Sequence, residues 1–179
     1  MANRSYLYSF DEARTPTHKD LSEWRSFPPL THLLLVGAAP VPCRSDIWGV
    51  EEKIAIRSPA APARELFEKM IAWLRPQLGE SFERDADRAL ERVCEADAGT
   101  HFHLELGEIF ELSGYELAQM EDETRYYCDR ARRLTTEVEN AIEKNLPADA
   151  LIELLWELDE VSAESLGFYF PGVLYFHLG

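Results

Sequence analysis

The sequence predicts an α+β fold: a single domain over residues 1–179, predominantly helical with a few short strands including the N- and C-terminal segments. Three observations carry this. Two long stretches, beginning at Ala63 and Tyr115, repeat apolar residues at spacings of three and four, the period of an amphipathic helix. Arg4–Phe10 alternates with period two instead, as a half-buried strand does. The aromatic C-terminal stretch is broken by Pro171-Gly172, the pattern of a reversal followed by a buried strand. With 179 residues and 46% apolar side chains there is enough to bury one core.

Taken in order, Arg4–Phe10 places Tyr6, Tyr8 and Phe10 on one side of the first strand. Asp11 to Asp20 has no periodicity and reads as a loop, and Pro28-Pro29 then opens a short buried helix carrying Leu30, Leu33 and Leu34. Gly37 to Pro42 ends that helix, and Asp46-Ile47-Trp48-Gly49 forms a turn before a short strand around Lys53 to Ile56. Leu66, Phe67, Met70, Ile71 and Leu74 make one helical stripe, with Pro62 in its first turn and Pro76 near its end. Phe82, Ala86, Ala89, Leu90 and Val93 make a second, with Ser81 as its N-cap. Past Asp97-Ala98-Gly99-Thr100, Phe102, Leu104 and Leu106 alternate like a strand while Leu106, Ile109 and Phe110 fit a helix; a strand with a turn near Gly107 is expected. Leu117, Met120, Thr124, Tyr127, Ala131, Leu134, Val138 and Ala141 define one long helix within Tyr115 to Asn145. Pro147 opens another, with Leu151, Ile152, Leu155 and Leu158 on its apolar side, and the two are expected to pack as an antiparallel hairpin.

Charge narrows the function. Eighteen Lys and Arg against 33 Asp and Glu leave a net charge of −15, a field that repels nucleic-acid phosphates and anionic lipid and attracts basic proteins. The excess is uneven: residues 1–94 carry 14 acids and 13 bases, residues 95–179 carry 19 acids and 5 bases. After Arg133 the only base is Lys144. No stretch approaches the length of a membrane span, the first residues lack the pattern of a secretory signal, and three widely spaced cysteines suit free thiols, so a cytoplasmic protein is expected.

Chemistry-bearing residues are few in pattern. His101 and His103 would share one face of a strand, with His32 or Glu105 as a further metal ligand, but two histidines without a third ligand at motif spacing recur by chance, and no metal is expected. Cys43 beside Arg44 has the composition of an activated thiol, against the commoner reading of a small buried side chain. Cys128, on a helix, reads as structural. Glycine-rich phosphate loops, nucleophile elbows and metalloprotease helices are absent, so no catalytic residue and no cofactor are expected. On the last predicted helix Glu153, Trp156, Glu157, Asp159, Glu160 and Glu164 place an aromatic residue within an acidic stripe, which suits a partner-binding surface; the same Trp156 would equally widen the buried side.

Several blocks carry a resemblance: Met1-Ala2-Asn3-Arg4-Ser5-Tyr6-Leu7-Tyr8-Ser9, Leu34-Leu35-Val36-Gly37 followed by Cys43-Arg44-Ser45-Asp46-Ile47-Trp48, and Pro171-Gly172-Val173-Leu174-Tyr175-Phe176-His177-Leu178-Gly179. Together they resemble a family of uncharacterised bacterial proteins with a domain of unknown function, and the resemblance brings no known activity or ligand. It implies a bacterial cytoplasmic setting, in which small acidic proteins without catalytic motifs often serve as immunity proteins. An immunity-type protein that occludes a basic toxin surface is the leading expectation. The alternatives are an enzyme or small-ligand binder with a pocket near Cys43, Arg44, His101 and His103, and a regulatory module that self-associates through its long helix.

Overall fold

The computed structural model describes residues 4–11, 19–25, 28–95 and 99–148. Nine elements follow one another among them: β1 (Arg4–Phe10), β2 (Lys19–Arg25), α1 (Leu30–Gly37), β3 (Val41–Cys43), β4 (Ala55–Pro59), α2 (Ala60–Glu95), β5 (His101–Glu105), α3 (Gly107–Leu112) and α4 (Leu117–Glu143). The strands form one sheet in the order β2-β1-β5-β4-β3, and every neighbouring pair runs antiparallel. The fold is mixed α+β as the sequence predicts, with a more extensive sheet than a few short strands.

The alternation of side chains gives the sheet two chemically different faces. Leu7, Ile56, Phe102 and Leu104 are all fully buried and join the core with α1 and α2. Serines interleaved on that face reach the helices: Ser5 Oγ lies 3.3 Å from His32 Nδ1 and Ser58 Oγ accepts the amide of Ala39 at 3.1 Å. His32 Nε2 is 2.7 Å from Ser22 Oγ, so one buried histidine bridges β1, β2 and α1. Every residue of α1 is buried, because the helix packs against α2, α4 and the strands β4 and β5. A helix with no solvent face must be apolar all round, which Leu-Leu-Leu-Val at Leu33–Val36 provides.

Several expectations need correction. The loop expected over Asp11 to Asp20 gives way at Lys19 to a strand, Lys19–Arg25, that borders the sheet among the described residues; its charged residues hide the alternation, and a bulge between Leu7 and Tyr8 shifts its register. The short strand expected around Lys53 lies two residues later, at Ala55–Pro59, and β3 was not foreseen. The two helical stripes belong to one 36-residue helix, α2, which runs through Pro76 and Ser81 without a break. Pro76 and the residue four before it, Ala72, are both exposed, so the carbonyl that proline leaves without an amide partner can be hydrated. At Gly107 a short helix begins where a turn was expected. On β1 the fully buried side is Ser5, Leu7 and Ser9, while Tyr6, Tyr8 and Phe10 are half-buried. The helix after Pro147, its hairpin with α4 and the C-terminal strand lie outside the described residues, apart from Ala148.

Past α4 the chain is tied to α2. Trp73 Nε1 donates to the Leu146 carbonyl at 3.1 Å, and Gln77 Oε1 accepts the amide of Ala148 at 2.7 Å. Closer still is the meeting of α1 and α4 at Gly37, where an added Cβ would collide with Thr135 Oγ1 and stand 2.7 Å from the Ala131 carbonyl oxygen. Gly37→Ala is therefore expected to destabilise the fold by about 1–3 kcal/mol through overpacking. Urea unfolding checks this, and an unchanged midpoint would mean that the two helices do not approach this closely.

Candidate functional site

The second face of the sheet carries the polar chemistry. Tyr8, His103 and Arg57 stand side by side across β1, β5 and β4, and Tyr6, Glu105, Ala55 and Cys43 form the next row across β1, β5, β4 and β3. His103 is fully buried and Glu105 only 2% exposed. His103 Nε2 lies 2.8 Å from Glu105 Oε1 and 3.5 Å from Asp46 Oδ2. With the Nε2 hydrogen directed at Glu105, Nδ1 is left to accept, and it faces Arg57 Nη2 at 3.5 Å and Cys43 Sγ at 3.7 Å. Arg57 also lies 3.6 Å from Asp46 Oδ2 and stacks over Phe10, 4.2 Å from the ring centroid.

Asp46 reaches this face because the segment after β3 folds over it. Ser45 Oγ accepts the amides of Ile47 at 3.1 Å and Trp48 at 2.8 Å, a side-chain turn that bends the chain at once. The bend aims the Asp46 amide at Glu105 Oε1, which accepts it at 2.7 Å. Trp48 packs against the core next to Gly107, where an added Cβ would stand 2.7 Å from Trp48 Nε1.

The electrostatics of the cluster follow from these contacts. Burial acts to raise the Glu105 carboxyl, but the interactions with His103, the Ser45 hydroxyl and the Asp46 amide outweigh it and hold the group below its ordinary value. Glu105 is thus an ionised carboxylate inside the protein. Its other oxygen, Oε2, is buried without a hydrogen-bond partner. Burial pushes the Cys43 thiol up to about 12 despite the nearby Arg57 charge, so this residue is a neutral S–H at physiological pH. Cys128 is likewise raised, to about 11, chiefly by burial. Tyr6 donates to Glu108 Oε2 at 2.7 Å, and burial together with that bond raises its phenol to about 12. Tyr8 is raised further, by burial and by the negative charges of Asp20 and Glu105.

The pocket expected from Cys43, Arg44, His101 and His103 is only half assembled. Cys43 and His103 meet, whereas Arg44 points to an exposed ion pair with Glu51, and His101 bonds with its neighbour Thr100 at the far end of β5. His32 sits on the other side of the sheet with Ser5 and Ser22. Asp46 and Arg57 are the residues that sequence reasoning missed. A signal for Glu105 exists in His101-Phe102-His103-Leu104-Glu105, whose polar residues alternate onto one face; Arg57 depends on the pairing of β4 with β5. The partner-binding candidates Glu153, Trp156, Glu157, Asp159, Glu160 and Glu164 lie outside the described residues. Among the described residues, donor atoms of Asp46, His103 and Glu105 all fall within 4.8 Å of one another, the spacing that a metal ion requires.

A family model described as a domain of unknown function, DUF7822, matches residues 9–148, more than three-quarters of the chain. The chain belongs to this family. The match runs from the end of β1 to the segment clamped by Trp73 and Gln77, so the strands β2 to β5 and the buried cluster fall within the DUF7822 region. No curated protein and no solved structure matches the chain. None of the described helices of this DUF7822 protein is long and apolar enough to cross a membrane.

Two measurements test the electrostatics. In the folded DUF7822 chain at about pH 8, Cys43 should react with iodoacetamide at least about tenfold more slowly than in the unfolded chain, since its thiolate is scarce. Peptide mass spectrometry reads this site by site, and equal rates in the two states would contradict the raised thiol. Tyr6 supplies a pH dependence. The fold favours its neutral phenol, so its contribution to stability is whole below an unfolded value near 10 and is lost as pH climbs towards about 12. Over that window Tyr6→Phe should lose less stability than the parent protein in urea titrations.

Proposed function

We propose that this protein works by binding: an immunity-type protein that captures a basic protein surface, with a bacterial toxin as the partner class. The observation that carries the reading is where the charge stands on α4. Along that helix Arg125 pairs with Glu121 at 2.8 Å and Asp122 at 2.5 Å, and Arg132 pairs with Asp129 at 2.6 Å. Beyond Arg132, Glu137, Glu139 and Glu143 make no direct ion pair among the described residues, although Lys69 feels the charge of Glu139, and the last turn contains no base ahead of the C-cap Lys144. Carboxylates near a helix C-terminus face the negative end of its dipole, so they do not serve the stability of α4. Past Lys144, the only base after Arg133, the sequence continues the same charge through Asp149, Glu153, Glu157, Asp159, Glu160 and Glu164. A field of one sign at one end of a protein accelerates capture of an oppositely charged surface.

Catalysis by Cys43 is the weaker reading, because its thiol is neutral and His103 has no solvent exposure. Affinity capture from the parent bacterium, followed by binding kinetics with the captured protein, tests the proposal. A basic partner whose association slows steeply with salt is expected. Charge reversal at Glu139, Glu143, Glu153, Glu157 and Glu160 should slow association at least about tenfold and flatten the salt dependence, leaving circular dichroism unchanged. Failure to recover a partner, or association indifferent to salt and to the reversal, would overturn the reading.

A further inference from the structure

We infer that Asp46, His103 and Glu105 form a binding site for one divalent transition-metal ion, with zinc the best fit to the donors. The inference is independent of the partner proposed above and departs from the expectation that the protein holds no metal. One imidazole nitrogen and two carboxylate oxygens are a donor set that zinc accepts, and three protein ligands leave a fourth position open. Two ligands of a tetrahedral zinc, each about 2.0–2.1 Å from the ion, lie about 3.3 Å apart. Asp46 Oδ2 and His103 Nε2 already stand at 3.5 Å; the 2.8 Å contact of His103 with Glu105 has to widen by a few tenths of an ångström.

A second observation points the same way. The Glu105 carboxylate lies in this cluster, nearly all of it buried, and its Oε2 has no hydrogen-bond partner. Leaving a buried carboxylate oxygen unsatisfied is costly, and a cation between the two carboxylates would remove that cost. Asp46 supplies the entry route, since its side chain is 33% exposed while the other two ligands are enclosed. Magnesium and calcium fit less well, because they take six or more oxygen-rich positions that this enclosed cluster does not offer. Arg57, 3.6 Å from Asp46 Oδ2, competes for that carboxylate and sets the affinity lower than two carboxylates and an imidazole would give alone.

The test uses the full chain, stripped with a chelator and titrated with zinc by calorimetry and with cobalt by visible absorption at about pH 7.5. One ion per chain with micromolar affinity, and an intense visible cobalt band of a four-coordinate site, are expected. Asp46→Asn should weaken binding at least about tenfold with circular dichroism unchanged, and being at the exposed side of the cluster it carries the test even if Glu105→Gln fails to fold. His101→Ala should bind like the parent chain. No binding at millimolar metal, parental affinity in Asp46→Asn, or lost binding in His101→Ala would each overturn the site.

Discussion

Glu105 is the constraint around which the rest of this protein is arranged. A carboxylate in the central strand of a sheet, shut off from water, has to be held by the protein itself or be neutralised. Its supports come from three places along the chain: His103 two residues before it, Ser45 and Asp46 from the bend after β3, and Arg57 acting through His103 and Asp46. Each support fixes an element. The amide of Asp46 can reach Glu105 only if the chain turns sharply at Ser45, and that turn delivers Trp48 against the core beside Gly107. Strand pairing alone would leave the 44–54 segment without a reason to lie where it does.

How legible all this was depends on what kind of pattern each part leaves. α1 and α4 are written plainly, because a buried run and a long apolar stripe both come from the local chain. β1 is written in its period of two, although its aromatic residues mark the half-buried side and small Ser5 and Ser9 the buried one, where α1 and the segment after α2 approach closely. β2 is hidden because Lys19, Asp20, Glu23 and Arg25 on a sheet edge need no apolar alternation. Pro76 and Ser81 suggested a boundary, yet both signals are local preferences that a helix packed on one side can override. The buried cluster is legible only in part. His103 and Glu105 share a face by spacing alone, while Asp46 and Arg57 join them through tertiary pairing that a single sequence does not reveal.

The protein separates its polar chemistry into two regimes. On the second face of the sheet, polar and charged groups are brought together and largely shielded, so their interactions are short-ranged and less screened by salt than those at the surface. Towards the end of α4, the exposed Glu139 and Glu143 make no direct ion pair among the described residues, so the effect of their charge is long-ranged and sensitive to salt. Arg125 and Arg132 mark the transition within a single helix, pairing with Glu121, Asp122 and Asp129 and with none of the acids beyond Arg132.

Pro42 gives the sheet one more property. It sits in β3, which borders the sheet among the described residues, and proline has no amide hydrogen to offer a further strand. The opposite border among the described residues, β2, has a charged residue at four of its seven positions. Backbone-to-backbone recruitment of a foreign strand is discouraged at both margins, which protects the fold from growing into an aggregate. Among the described residues, the margins of the sheet thus favour recognition by side chains and surface complementarity over the generic appetite of an unpaired strand.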